Sequence, residues 1–158
     1  MKTSRPVLAA VGLTSVALVG FALYLQHVEG MAPCPLCVIQ RYAFITLTLI
    51  CFLFAALPRA ATKAGALLGA LTALVGTGVA GWHLWVKANP TVSCGIDPLE
   101  TSLNRILSAE LLPFLFKADG LCATPYPPIL GLSIPQWSLT WFVIFMLALI
   151  WAALRRSR

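Results

Sequence analysis

The residues of this chain best suited to chemistry are its cysteines, five in all, at positions 34, 37, 51, 94 and 122. Cys34-Pro35-Leu36-Cys37 is a C-x-x-C motif leading into an apolar run, so Pro35 can open a helix with Cys34 at its N-cap. Free amide N–H groups and the helix dipole at that end stabilise a thiolate, the form of cysteine that attacks in disulfide exchange. The same spacing also serves a plain structural disulfide or half of a metal site. Cys94 and Cys122 have 27 residues between them, so they do not supply the second C-x-x-C of a four-thiol zinc site, and no metal is expected. Structural disulfides close loops of this kind too, and the pair by itself leaves structure and chemistry both open. Cys51 lies inside an apolar run and reads as an inert core side chain.

Two further side chains stand close to this chemistry. Arg41 follows Cys37 by four positions, one helical turn deeper on the same face. A cation there favours a thiolate and can hydrogen-bond a carbonyl oxygen of a ligand in the membrane; the plain alternative is an arginine snorkelling to the interface. If charge is its contribution, lysine should be a mild replacement. His83, near the end of another apolar run, is open to a ligand role or to simple packing at the interface.

The elements that position these residues follow from composition. Of 158 residues, 59% are hydrophobic and 10% charged, with a mean hydropathy of +0.89, which excludes a soluble globular domain and a disordered chain. Residues 7–25, 38–57, 64–86 and 137–154 form four apolar stretches of about 18–23 residues, each long enough to cross a bilayer as a helix. The first is too long for a signal peptide and ends without a small-x-small cleavage site, so it is read as a helix. The fold expected is an all-α membrane protein, a four-transmembrane-helix bundle forming a single domain over 1–158. Its third helix carries small residues four apart, Gly65, Gly69, Ala73, Thr77 and Gly81, a stripe that lets a neighbouring backbone approach closely.

Charge fixes the sides. Lys2, Arg5, Arg59, Lys63, Arg155, Arg156 and Arg158 flank the termini and the short loop 58–63, while all five acids fall in loops 26–37 and 87–136. The positive-inside rule then puts both termini in the cytoplasm and the two other loops outside; in a bacterium that outer face is the oxidising periplasm. Four of the cysteines share that oxidising side. Trp82, Trp85, Trp137 and Trp141 cluster near the outer boundary as an aromatic belt would. Within loop 87–136, Asp97-Pro98-Leu99-Glu100 is a helix start, and Leu103, Ile106, Leu107 and Leu111 follow at helical spacing. One short amphipathic helix, ending near Pro113 and lying on the membrane surface, is expected there. The net charge of +6 is spread over short loops and ends, with no basic patch interleaved with aromatics, so no nucleic-acid partner is expected.

Pro33-Cys34-Pro35-Leu36-Cys37-Val38-Ile39-Gln40-Arg41 resembles the helix-two signature of the disulfide bond formation protein B (DsbB) family, the inner-membrane thiol:quinone oxidoreductases. Gly120-Leu121-Cys122, followed by Leu130-Gly131-Leu132-Ser133-Ile134-Pro135-Gln136-Trp137, is similar to that family's approach to its fourth helix, and the likeness extends over nearly the whole chain. The resemblance implies that Cys34 and Cys37 are coupled to a quinone, ubiquinone or menaquinone, with Cys37 facing it and Arg41 supporting it. It implies that Cys94 and Cys122 oxidise a periplasmic DsbA-like thiol oxidase, Cys94 forming the mixed disulfide, and that membrane lipid and the quinone pool are the other partners. His83 falls roughly where some members carry a histidine near the quinone. Gln40 stands where some members have an acid. The competing readings are a non-catalytic four-helix membrane protein with two structural periplasmic disulfides, and a four-thiol metal site.

Overall fold

The computed structural model describes residues 4–89, 99–122 and 124–155. Four helices, α1 (Arg5–His27), α2 (Pro35–Ala56), α3 (Thr62–Ala88) and α7 (Ile134–Leu154), are long and apolar enough to cross a membrane, and the protein is an all-α multi-pass membrane protein. Three of them open on a proline, Pro6, Pro35 and Pro135, whose missing N–H is no loss in a first turn. That is why these helices begin two or three residues before the apolar stretches read from sequence. The start of α7 is fixed further by Gln136, whose side-chain oxygen accepts from the Ser133 backbone N–H at 2.7 Å and from its hydroxyl at 2.9 Å.

The Ser4 hydroxyl donates to the Ala152 carbonyl at 2.9 Å and the Arg5 guanidinium to the Leu57 carbonyl at 2.6 Å. The first turn of α1, the last turn of α7 and the α2–α3 turn therefore share one end of the bundle, as the charge map requires. Helix α2 packs against α1 and α3, and α3 against α7, while α1 and α7 touch little.

The core at the centre of the bundle is built on fully buried Leu47, Cys51, Phe142 and Leu149, with the Phe44 and Phe142 rings stacked 4.0 Å apart. In lipid such contacts stabilise through close packing, since the hydrocarbon around the protein is as apolar as the core. The small-residue stripe of α3 makes that approach possible, with a correction to its register. A Cβ on Gly76 would overlap the Phe142 ring, and one on Gly69 would press on Leu149 at 3.0 Å, whereas Gly81 faces open space. A spacing of exclusively four drifts about 40° per step around an α-helix, so the packed face is Gly65, Gly69, Ala73, Gly76 and Ala80 in place of Thr77 and Gly81. Three residues beyond Ala80, the same face reaches His83.

The single surface helix expected in the long loop is instead three short ones, α4 (Thr101–Asn104), α5 (Leu107–Leu111) and α6 (Pro113–Phe116); its expected start at Asp97-Pro98 lies outside the described residues. Ile106 is extended, and Leu112, before Pro113, leaves the helical region. The first break is paired with a better use for Asn104: its amide donates to the Ala118 carbonyl at 3.0 Å and accepts from the Ala118 N–H at 2.9 Å. The broken segment divides its apolar residues. Leu103, Ala109 and Phe116 are buried, Tyr42 of α2 stacking on Phe116 at 4.3 Å, while Ile106, Leu107, Leu111, Leu112 and Phe114 are exposed, a surface suited to the membrane interface.

Candidate functional site

Cys34 is the N-cap of α2 and Pro35 its first residue, as the motif predicts. The Cys34 sulfur accepts from the Cys37 backbone N–H at 3.3 Å and lies 2.9 Å from the Cys37 sulfur, to which it donates; both are free thiols. The donated hydrogen bond, with burial adding to it, holds the Cys34 thiol above the ordinary cysteine range. Cys37 thus accepts that hydrogen bond and is the less buried residue of the two.

His83 of α3 is 2% exposed, with Nε2 3.7 Å from the Cys34 sulfur and Nδ1 3.2 Å from the Gln40 side-chain nitrogen. The histidine therefore touches the dithiol through the Cys34 sulfur. Gln40 is 4% exposed and holds the far side of the ring. A glutamine can present either oxygen or nitrogen to Nδ1, and so can support either imidazole tautomer.

Arg41 is held inside the protein. It is 6% exposed, and its guanidinium donates to the Gln26 side-chain oxygen at 2.6 Å, to the Leu115 carbonyl at 3.0 Å and to the Ala22 carbonyl at 3.5 Å. This buried cation, which would be costly in a bilayer if unpaired, joins α2 to the end of α1 and to the α6 segment. It also lines a cavity of 320 Å³ together with Cys34, Cys37, Gln40 and His83. Most of the remaining wall is apolar, contributed by α1 and by the approach to α7, the two helices that touch little. Trp137 and Trp141 turn into this wall, whereas Trp82 and Trp85 stack on each other at 4.8 Å and stay about half exposed.

Cys122 is disulfide-bonded and buried, and it shares one apolar cluster with Cys34, Leu36 and Val86. Its neighbourhood is fixed by the Pro33 carbonyl, which accepts from the N–H groups of Asp119 and Gly120, both at 3.0 Å. A side chain at Gly120 would overlap the Ala32 carbonyl, so glycine is what allows the Cys122 segment to lie against the C-x-x-C loop. Cys94 lies outside the described residues. Cys51 is fully buried in the bundle core, away from the cavity, as expected.

Two contributors were not foreseen. Gln26 as the partner of Arg41 carries no sequence signal, because the contact is between helices. Lys87 also lines the cavity, and it lies four residues past His83 on α3, a spacing from which its place beside the site could have been read.

The disulfide bond formation protein DsbB family matches residues 4–152. Among similar curated proteins, disulfide bond formation protein B of Herminiimonas arsenicoxydans is 62% identical over 157 residues, covering 99% of both chains. The protein of the same name from Ralstonia nicotianae is 49% identical over 155 residues, covering 98% of this chain and 97% of its own. Disulfide bond formation protein B 1 of Pseudomonas entomophila is 46% identical over 145 residues, covering 91% and 86%. With a dithiol at a helix start, a second cysteine packed beside it and a family match over nearly its whole length, the chain belongs to the DsbB family of disulfide bond formation membrane proteins.

Proposed function

We propose that the protein reoxidises a periplasmic DsbA-like dithiol protein and passes the electrons through Cys94–Cys122 and then Cys34–Cys37 to a membrane quinone, ubiquinone or menaquinone. The observation that carries this reading is the position of the Cys34–Cys37 dithiol, set in the wall of a largely apolar 320 Å³ cavity with Cys122 packed behind it. Cavities of this size and character suit a small, mostly apolar ligand fixed by a few polar groups, here Gln40, Arg41, His83 and Lys87. A bound quinone supplies the acceptor for two electrons and two protons.

The chain's own residues do the rest. A partner thiolate attacks one sulfur of the Cys94–Cys122 disulfide, and the thiolate released attacks the oxidised Cys34–Cys37 pair; each exchange forms one S–S bond and breaks another. The partner's second thiol then releases Cys94, which takes back Cys122 and leaves Cys34–Cys37 reduced; that pair, its Cys37 sulfur on the cavity wall, would give up two electrons and two protons as its disulfide re-forms. Arg41 holds the cavity wall and supplies positive charge. The DsbA–DsbB–quinone relay is the established case in which the periplasm is kept oxidising kinetically. In this reading both termini are cytoplasmic, and loops 26–37 and 87–136 are periplasmic in the inner membrane.

The test is quinone reduction by a reduced DsbA-like protein. Wild-type protein should turn over with one quinone consumed per partner disulfide formed, and Cys37→Ser should be inactive. Turnover in Cys37→Ser, or no bound or reducible quinone in wild type, would favour a bundle whose disulfides are only structural.

A further inference from the structure

We propose that Cys34, Cys37 and His83 form a redox-gated site for a thiophilic divalent cation of the zinc class, open when the dithiol is reduced and abolished when it is a disulfide. One donor atom from each residue falls within 4.8 Å of the other two. A tetrahedral zinc with Zn–S of about 2.3 Å and Zn–N of about 2.0 Å needs its sulfurs about 3.8 Å apart and each sulfur about 3.5 Å from the nitrogen. The Cys34 sulfur is already 3.7 Å from His83 Nε2. The two sulfurs, 2.9 Å apart, need only part by about 0.9 Å to meet the same geometry.

The surroundings select the ion. Gln40 holds His83 Nδ1 at 3.2 Å, and with its oxygen turned to the ring it accepts Nδ1–H and leaves the Nε2 lone pair directed at the sulfurs. Metal-binding histidines are commonly oriented in this way. Among the described residues the cavity wall carries no carboxylate, so the anionic oxygen ligands that Mg²⁺ and Ca²⁺ favour are lacking there, while two thiols and an imidazole suit a softer ion. Two thiolates cancel the charge of one divalent ion, and water from the cavity that all three residues line can complete the tetrahedron. Binding displaces two thiol protons and moves no electrons. In the disulfide form the sulfurs have lost the charge that binds the ion, so only the reduced chain takes it up.

Such an ion would be a reversible inhibitor that locks the pair reduced, and it differs from a four-thiol site because Cys122 is engaged in a disulfide. The inference depends on the reduced dithiol and His83 alone, independently of electron transfer to a quinone.

The test is Co²⁺ titration of full-length protein in lipid nanodiscs, followed by Zn²⁺ displacement, using a Cys94→Ala/Cys122→Ala chain so that one pair supplies the surface thiols. The reduced chain should bind one Co²⁺ with a sulfur-to-cobalt charge-transfer band and tetrahedral ligand-field absorption, and the oxidised chain should show neither. Gln40→Ala should weaken binding by about 10–100-fold, and His83→Ala should weaken it more and alter the spectrum. Equal binding by reduced and oxidised chains, or an unchanged affinity and spectrum in His83→Ala, would overturn the site. The His83→Ala comparison made in the otherwise native chain decides the question if the double variant does not fold. Because the readout is binding, failure of this titration and failure of quinone reduction are separate results.

Discussion

The middle of the bundle and its cavity end use the same helices in opposite ways. In the middle, α2, α3 and α7 close on one another until glycine is required, and Cys51 is fully buried with aliphatic and aromatic neighbours. At the end that carries the C-x-x-C motif, α1 and α7 leave a cavity, and the side chains around it include Cys34, Cys37, Gln40, Arg41 and His83. In the proposed function cysteine is a filler in one region and a reagent in the other, and the difference lies in what surrounds the sulfur. A helix N-terminus, a second thiol, an imidazole and an accessible space distinguish Cys34 and Cys37 from Cys51. Each of these features can be removed separately.

The largest effect should come from the sulfurs themselves. Cys34→Ser and Cys37→Ser should each reduce partner-driven quinone reduction to background, while Cys51→Ser should keep nearly the wild-type rate; comparable losses in all three would erase the distinction. Next is Gly120→Ala, which pushes the Cys122 segment away from the Ala32 carbonyl. Transfer between the two cysteine pairs, followed by rapid quench and thiol trapping, should slow by up to about 100-fold, as displacement of reacting groups by about 1 Å can do. An unchanged transfer rate would show that close packing of this loop is not needed for exchange.

For Arg41 the geometry changes the expectation drawn from charge. Lysine keeps the charge, but its single nitrogen on a shorter side chain cannot reproduce the Nη1 bonds to the Gln26 oxygen and the Leu115 carbonyl together with the Nη2 bond to the Ala22 carbonyl, so Arg41→Lys should behave more like Arg41→Met than like wild type. Both should raise the apparent KM for quinone more than they slow exchange with the partner protein. A mild Arg41→Lys would return the role to simple charge. The smallest effects separate two glycines of one helix. Gly76→Ala meets the Phe142 ring and should lower stability by about 1–3 kcal/mol, seen as a lower Tm in detergent. Gly81→Ala meets nothing and should be neutral or stabilising by up to about 1 kcal/mol.

The four spans, the C-x-x-C at a helix start and the shared side of termini and middle turn were legible because they are local or compositional: run length, a proline at the first helical position, and charge. The assembly of the site was not. His83 meets Cys34 across 49 residues and Gln40 across 43, and no periodicity in α2 or α3 reveals that pairing. Arg41 was placed on the correct face of α2, but its bonds go to α1 and the α6 segment, which only the tertiary structure supplies. The surface helix was misread as continuous because the apolar spacing is helical throughout, while the break depends on Asn104 finding Ala118.

The central claim, that the two cysteine pairs form one relay, is tested most directly by peptide mapping of the complex with a DsbA-like partner whose resolving cysteine has been replaced. The account predicts a trapped species joined to the partner through Cys94, with a Cys34–Cys122 disulfide and Cys37 free beside the cavity. An intact Cys34–Cys37 bond in every trapped molecule would contradict it, because the buried neighbours Cys34 and Cys122 would then be packed together without exchanging electrons.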